Sequence, residues 1–196
     1  MPPHAGTDAL RVRENRVMKT VLLGLVALVV IAVAIVLILA AMKPDTFQVQ
    51  RSIAIQAPPE RIQPLIADFR AWGAWSPWEK KDPAMTRSFS GADSGVGARY
   101  AWEGDKTVGR GSMEIVEVAP TKVALKLDFI APFEAHNAAV FALLPQGHTT
   151  NVVWTMTGPT PFLGKIVHVF MNMDRMIGGD FEAGLAAMKA AAERRS

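Results

Sequence analysis

The most prominent pattern in the chain is an unbroken apolar run near its N-terminus. Residues 20–42 contain no charged residue, no Asn, no Gln and no Pro. A helix rises about 1.5 Å per residue, so about 20 apolar residues cross a hydrocarbon core of roughly 30 Å. A cleavable signal peptide is the alternative, but its apolar region is usually about 7–15 residues long, and residues 39–42 make a poor cleavage site. We therefore predict an uncleaved transmembrane helix over residues 20–42.

After this run the pattern changes to alternation. Over residues 47–56 apolar positions alternate with polar ones, which is typical of a half-buried strand. Pro58 and Pro59 end the strand, and helical spacing then predicts a helix that ends near Arg70. Further β-type runs, separated by Gly and Pro turn signals, follow at residues 85–90, 98–103, 109–118, 123–133, 138–144 and 151–157. They indicate an antiparallel meander with one buried face.

The C-terminal segment returns to helical spacing. Residues 165–192 place apolar side chains three and four positions apart, which predicts one long amphipathic helix. Its stripe consists of Ile166, Phe170, Met173, Ile177, Phe181, Leu185 and Met188. Gly178 and Gly179 lie in the middle, where each costs up to about 1 kcal/mol relative to Ala. We expect them to mark a bend or a close approach to the sheet, and we expect the sheet to wrap the helix so that both apolar faces are buried.

These elements divide the chain into four parts. They are a basic tail (1–19), the transmembrane helix (20–42), a linker (43–46) and an α+β domain (47–196). The linker reaches on the order of 14 Å, so we expect the domain to sit against the bilayer. Arg11, Arg13, Arg16 and Lys19 precede the helix, whereas Lys43 alone follows it closely. The positive-inside rule then predicts a cytoplasmic N-terminus and a periplasmic or extracellular domain.

Charge and cysteine content narrow the classes of function. From residue 47 onward, 16 Lys and Arg stand against 15 Asp and Glu. Because phosphate binding needs a basic surface, this balance excludes nucleic acid as a partner. The chain has no cysteine, which does not distinguish between compartments for a domain of this size.

Several stretches of the chain resemble a known superfamily. They are residues 51–62 (RSIAIQAPPERI), 72–83 (WGAWSPWEKKDP), 149–158 (TTNVVWTMTG) and the segment 170–193. They are similar to the START-like, polyketide cyclase/dehydrase superfamily, also called SRPBCC, over about residues 47–193. The resemblance implies a helix-grip fold, in which a curved antiparallel sheet surrounds a long C-terminal helix. It also implies an apolar cavity between sheet and helix. The superfamily contains lipid carriers, hormone receptors and aromatase/cyclases, so the resemblance leaves the function open.

The implied cavity would be lined by apolar side chains of the sheet, the helix and one aromatic loop. The residues that we expect there are Trp75, Trp78, Met113, Phe129, Phe141, Trp154, Phe170, Met173 and Ile177. Trp72, Trp75 and Trp78 follow each other three apart in the loop. They could form a gate over the cavity mouth, contact lipid headgroups, or pack against the first helix.

Candidate catalytic side chains are few. Glu79, His136 and Asp174 could act as an acid or a base if they point inward, and a histidine titrates near neutrality. The resemblance carries no fixed catalytic signature onto this chain. The sequence holds no His-x-x-His or Glu-x-x-His spacing, no P-loop, no dinucleotide fingerprint and no Gly-x-Ser-x-Gly elbow, so neither a metal nor a cofactor is predicted.

The leading hypothesis is a membrane-anchored domain, held in the bilayer by residues 20–42, that binds an apolar small molecule or lipid. One alternative is a cyclase or hydrolase-type enzyme acting on an apolar substrate. Another is an accessory subunit of a larger membrane complex, because Gly24, Ala27, Ala32 and Ala34 offer small residues for helix packing.

Overall fold

The computed structural model describes the backbone of residues 5–194 and the side chains of residues 16 and 18–194. Residues 1–4 of the predicted basic tail lie outside the described residues, and so do the side chains of Arg11 and Arg13. The chain forms two compact units. The first consists of residues 1–43 and 162–170, and the second of residues 44–161 and 171–196.

The seven strands, the first domain helix and the C-terminal helical segment follow one another in the predicted order, with additional short helices between them. The elements are α1 (Ala5–Ala41), β1 (Thr46–Ile55), α2 (Pro59–Ala67), a 3₁₀ helix (Phe69–Ala74), α3 (Trp78–Lys81), β2 (Thr86–Gly91), β3 (Ala98–Glu103), β4 (Arg110–Ala119), β5 (Lys122–Ala131), β6 (Ala135–Gln146), β7 (Thr149–Pro159), α4 (Phe162–Phe170) and α5 (Met173–Glu193).

The first unit is built from α1 and α4, which pack against each other. Within the described residues, one stretch, Met18–Ala41, is long and apolar enough to cross a membrane, with a mean hydropathy of 3.5. Its apolar side chains are exposed along its length; Leu23 and Leu28, for example, are 70% and 68% exposed. A water-soluble fold would bury such a helix, so its surface is suited to an apolar environment.

The second unit is a seven-stranded curved sheet with α5 packed against it. The strand order is β1-β7-β6-β5-β4-β3-β2, and every neighbouring pair is antiparallel. β7 alternates buried and half-buried residues along its length, as a strand with one core face must. On α5 the buried side chains include Phe181, Leu185 and Met188. The α+β helix-grip architecture expected from the resemblance is confirmed.

The C-terminal segment differs from the prediction of one helix over residues 165–192. It forms two helices, because the segment is interrupted at residues 171–172. Asn172 takes an extended conformation there, and its side-chain oxygen accepts a hydrogen bond from the backbone N–H of Arg175 at 3.2 Å. This is an N-cap, which satisfies one of the free N–H groups at the start of a helix. The apolar spacing continued across the break and concealed it.

The tryptophan segment also differs from the prediction. The helix expected to reach Arg70 ends at Ala67, and the side chain of Asp68 then caps the 3₁₀ helix by accepting from the backbone N–H of Arg70. Trp72 and Trp78 therefore lie in short helices and not in an open loop. Their segment is folded against the domain core.

Gly178 confirms the expectation of a close approach, although the approaching group is a side chain. A Cβ at this position would collide with the guanidinium of Arg51, which reaches from β1 to bind Asp174 and Glu182 on α5. A Cβ at the neighbouring Gly179 would meet nothing within 4 Å. Of the two glycines, only Gly178 has a group against its Cβ position, and that group is the end of the Arg51 side chain.

Candidate ligand-binding site

Three aromatic rings, Phe141, Trp154 and Phe181, form a stack between the sheet and α5. Phe141 on β6 lies directly opposite Trp154 on β7, and their ring centroids are 4.8 Å apart. The Phe181 ring on α5 lies nearly parallel to Trp154, with centroids 3.9 Å apart and planes 7° apart. All three side chains are almost fully buried. This aromatic stack is where the helix and the sheet meet.

A glycine on α5 allows the helix to come this close. A Cβ at Gly184 would lie 3.1 Å from Trp154 Cζ3 and 3.1 Å from Pro77 Cδ, which is tighter than ordinary van der Waals contact. Gly184 lies one turn after Phe181, so both residues belong to the same face of α5. The sequence pattern placed Phe181 on the apolar stripe of the helix but did not predict its contact with Trp154.

Trp75 and Trp78 contact the aromatic stack with their rings nearly perpendicular to those of the stack. Trp75 meets Trp154 edge-on at 5.5 Å, and Trp78 meets Trp154 at 5.8 Å and Phe181 at 6.2 Å. Such perpendicular contacts are favourable, because the positive edge of one ring faces the negative face of another. The site is therefore an apolar interior in which four aromatic rings contact the ring of Trp154.

The gate and lipid-belt interpretations are wrong for Trp72 and Trp75. They are 5% and 1% exposed, and their indole N–H groups donate to the backbone carbonyls of Ile66 and Leu65 at 3.0 and 2.7 Å. Both carbonyls lie in the last turn of α2, where no helical N–H is available to them. Packing against the first domain helix, the third alternative, is the one observed.

Trp154 differs from these tryptophans in its hydrogen bonding. The indoles of Trp72, Trp75 and Trp102 each donate to a backbone carbonyl. Trp154 is 3% exposed, yet its Nε1–H has no acceptor among the described residues. Leaving a buried donor unpaired costs about 1–3 kcal/mol. The N–H of Trp154 is thus an unpaired hydrogen-bond donor inside an apolar interior.

The other side chains predicted to line a cavity differ in how deeply they are buried. Met113 is buried in the same core as Trp75, Phe141 and Trp154, whereas Trp78, Phe129 and Ile177 are half-buried and pack against that core. Met173 is also half-buried. Phe170 corrects the prediction: it ends α4 in the first unit and is 73% exposed, so it does not share the interior with the others.

A polar cluster lies on the same aromatic interior, beyond the stack. Tyr100 contacts Phe69 and Trp102 through its ring, and its hydroxyl donates to Glu79 Oε1 at 2.6 Å. Arg87 donates from Nε to the other carboxylate oxygen of Glu79 at 2.6 Å. Burial, followed by the hydrogen bond to Glu79, raises the pKa of Tyr100 well above its ordinary value. Both oxygens of Glu79 are thus engaged.

The three predicted acid–base residues have separate partners. Glu79 is held by Tyr100 and Arg87, whereas Asp174 pairs with Arg51 at 2.7 Å. His136 pairs with Asp128 at 2.7 Å on an exposed part of the sheet, and that hydrogen bond raises the pKa of His136.

A second histidine, His168, lies half-buried on α4. Burial, and then the charge of Lys43, lower its pKa. Among the described residues, no three His, Cys, Asp or Glu side chains are grouped so that they could hold a metal ion.

An open groove of about 330 Å³ lies elsewhere on the second unit. It is lined by Glu60, Gln63, Val118, Ala119 and Pro120. Gln63 Nε2 donates to the Ala119 carbonyl across it at 2.5 Å, which links α2 to β4. These lining residues are distinct from the aromatic stack, so the groove does not correspond to the cavity that the resemblance implies.

The model of the family described as polyketide cyclase / dehydrase and lipid transport matches residues 46–193. No curated protein matches the chain. Among solved structures, it is similar to protein CV1439 from Chromobacterium violaceum, with 16% identity, a TM-score of 0.55, and coverage of 78% of this chain and 100% of that one.

Two further solved structures of the same fold bear functional names. One is truncated norcoclaurine synthase from Thalictrum flavum, with 12% identity, a TM-score of 0.57, and coverage of 77% of this chain and 96% of that one. The other is BexL, a di-domain ARO/CYC protein from the BE-7585A biosynthetic pathway, with 13% identity, a TM-score of 0.55, and coverage of 81% and 53%. At these identities the likeness concerns the fold alone.

Proposed function

Because the chain belongs to the polyketide cyclase / dehydrase and lipid transport family, we propose that its helix-grip domain binds an apolar small molecule or lipid and that α1 anchors it in a membrane. The bound molecule carries one hydrogen-bond acceptor, which accepts from Trp154 Nε1. The rest of its surface contacts the aromatic side chains between the sheet and α5. Such sites combine a mostly apolar lining with a few polar groups that fix orientation.

The unpaired N–H of Trp154 is the observation that carries this proposal. In a purely structural core, the indole would be expected to find an acceptor, as those of Trp72, Trp75 and Trp102 do. A carbonyl, ester or carboxylate of a bound molecule would supply one. The same molecule would take the place of the Phe181 ring against Trp154, with α5 shifting to make room for it.

The anchor is supported by the surface of α1. Met18–Ala41 is long enough to span a bilayer, and its exposed side chains are apolar. With the basic residues before the span and Lys43 after it, we propose a cytoplasmic N-terminus and a domain on the opposite side of the membrane.

Native mass spectrometry of the full chain, extracted from membranes in detergent, tests the binding function. We expect an apolar adduct on the wild-type chain that withstands removal of the detergent. Trp154→Phe keeps the ring but removes the donor, so it should lose most of the adduct. A loss of about 1–3 kcal/mol corresponds to roughly a 5- to 150-fold weaker affinity.

Trp102→Phe is the matched control, because the Trp102 indole already donates to the Val108 carbonyl at 3.0 Å. It should retain the adduct. A wild-type chain without any apolar adduct would contradict the binding function. Equal loss in both variants would contradict the assignment of Trp154 as the donor.

A cyclase or synthase activity is the second candidate, favoured by the contact between Tyr100 and Glu79. A phenol hydrogen-bonded to a carboxylate can relay a proton when a substrate reaches it. The clamp of Arg87 on Glu79 argues for the binding function, because it keeps the carboxylate engaged. Tyr100→Phe would abolish turnover of an identified substrate if the relay operates, and would leave ligand retention unchanged if it does not.

A further inference from the structure

The helix α4 exposes apolar residues and buries its lysine, which is the reverse of the usual arrangement on a surface helix. Leu163, Val167 and Phe170 follow at steps of four and three, so they share one face, and they are 74%, 44% and 73% exposed. Lys165 lies toward the opposite face and is only 9% exposed. A helix on the surface of a soluble domain buries its apolar face and exposes its charges.

The position of α4 in the first unit identifies the environment of this face. α4 packs against α1, the helix proposed to span the bilayer. The charge of Lys43, which follows the span by two residues, acts on His168 in the second half of α4. α4 therefore lies beside the C-terminal end of the span, where a membrane helix meets the headgroup region.

The sequence of α4 fits the same environment. From Phe162 to Phe170 it contains no acidic residue, and its only charged or titratable side chains are Lys165 and His168. Helices that lie in the membrane interface combine apolar residues on one side with basic residues on the other. The helices α1 and α4 are in contact within one unit, and both expose apolar side chains.

We propose that α4 is a second membrane element, which lies at the boundary between headgroups and acyl chains with Leu163, Val167 and Phe170 in lipid. This rests on the proposed anchor and extends it. β7 ends at Pro159 and α5 begins at Met173, so two residues separate each of them from α4. The strand that carries Trp154 and the helix that carries Phe181 are thus each joined by only two residues to the segment that we propose lies in lipid. A lipid of the adjoining leaflet is the ligand class that this connection favours.

The absence of cysteine from the chain makes a labelling experiment direct. Single cysteines replace Leu163 or Phe170 in the full chain, are labelled with the environment-sensitive dye NBD, and are reconstituted in phosphatidylcholine nanodiscs. Quenching by phosphatidylcholines that carry a doxyl group at a shallow or at a deep acyl position is compared with quenching by aqueous iodide. We expect blue-shifted emission and severalfold stronger quenching by the doxyl lipid at both positions.

Two control positions separate this inference from the anchor itself. Val96→Cys is the aqueous control, because Val96 is an equally apolar side chain, 59% exposed, between β2 and β3 of the second unit. Leu28→Cys, 68% exposed on α1, is the control for the span. The dye at Val96 should respond to iodide, and the dye at Leu28 to doxyl lipid only.

Each outcome then has one meaning. Lipid quenching at Leu163, Phe170 and Leu28 supports the inference. Iodide quenching at Leu163 and Phe170, with Leu28 in lipid, overturns the inference and leaves the anchor intact. Protection at these two positions from both quenchers means that protein covers α4, which also overturns it. Iodide quenching at Leu28 overturns the anchor, and with it the inference.

Discussion

The two helices of the C-terminal segment treat their apolar residues in opposite ways. On α5, Phe181, Leu185 and Met188 are 0–2% exposed and pack into the domain core. On α4, Leu163 and Phe170 are 74% and 73% exposed. Both helices carry apolar residues at steps of three and four, so the same periodicity serves two different purposes. The apolar face of α5 stabilises the domain, whereas the apolar face of α4 is exposed and can contact lipid.

The largest expected effect is on the free energy of unfolding, and it differs between substitutions on α5 and on α4. Phe181→Ala removes a ring that stacks on Trp154 in a fully buried position, so we expect a loss of about 3–5 kcal/mol in the free energy of unfolding. Phe170→Ala, its counterpart on α4, should change the free energy of unfolding by less than about 0.5 kcal/mol. Denaturant titration of the detergent-solubilised full chain, followed by tryptophan fluorescence, measures both. Equal losses would break the distinction between the helices.

Phe181→Ala also tests whether a ligand occupies the position of the Phe181 ring. If a ligand replaces the Phe181 ring, Phe181→Ala leaves room that an apolar molecule can fill, as engineered apolar cavities do. Palmitate should therefore raise the stability of Phe181→Ala by more than it raises that of the wild-type chain. The denaturation midpoint with and without palmitate gives this comparison. An identical shift in both proteins would show that the ligand does not use the position of Phe181.

A smaller effect distinguishes two neighbouring glycines on α5. Gly179→Ala should stabilise the domain by about 0.5–1 kcal/mol, because alanine is the better helix former and its Cβ meets no atom within 4 Å. At Gly178 the added Cβ must displace the guanidinium of Arg51, which disturbs its pairs with Asp174 and Glu182. Gly178→Ala should therefore lose that gain. A stabilisation by Gly178→Ala as large as that by Gly179→Ala would refute the packing role of Arg51.

The smallest expected effects concern pH, and each helix contributes one group. Hydrogen bonding from Arg51 lowers the pKa of Asp174 on α5. Its stabilising contribution is present above the ordinary carboxyl pKa of about 3.9 and is lost as the pH falls through the lower folded value. Asp174→Asn should flatten the dependence of stability on pH in that acidic window. An unchanged slope would show that Asp174 does not contribute to the loss of stability at acidic pH.

His168 titrates in a different window. Burial, and then Lys43, lower its pKa, so the unfolded chain binds a proton more readily than the folded one. Stability linked to His168 is then lost as the pH falls below the ordinary histidine value of about 6.5. Lys43→Ala should raise the pKa of His168 modestly, as measured by NMR titration of its imidazole. No change would show that Lys43 does not act on α4.

Much of the fold follows from alternation and helical spacing. The first strand and the six later runs correspond to β1–β7, because a half-buried antiparallel strand imposes a period of two on its side chains. Asn172 could have revealed the break between α4 and α5, since asparagine favours helix N-caps. The continuous apolar stripe concealed the break, because the spacing of apolar residues does not indicate whether their face contacts protein or lipid.

The site was predictable only in part. Trp75, Phe141 and Trp154 were expected to line the cavity that the resemblance implies, and all three are buried between the sheet and its covering helices. The hydrogen bonds of Trp72 and Trp75 to α2 depend on where that helix ends, which the spacing misplaced. The clamp of Arg87 and Tyr100 on Glu79 joins residues from β2, β3 and α3, and no pattern within one element could indicate it.

The indole N–H resonances of the five tryptophans offer the most direct test of the binding claim. With 15N-labelled tryptophan in the full chain, each indole gives one cross-peak, which single Trp→Phe variants assign. We expect palmitate to move the Trp154 peak in the direction of a new hydrogen bond while the Trp102 peak stays in place. A Trp154 peak that does not move at saturating palmitate would contradict the claim that this interior holds an apolar ligand through Trp154.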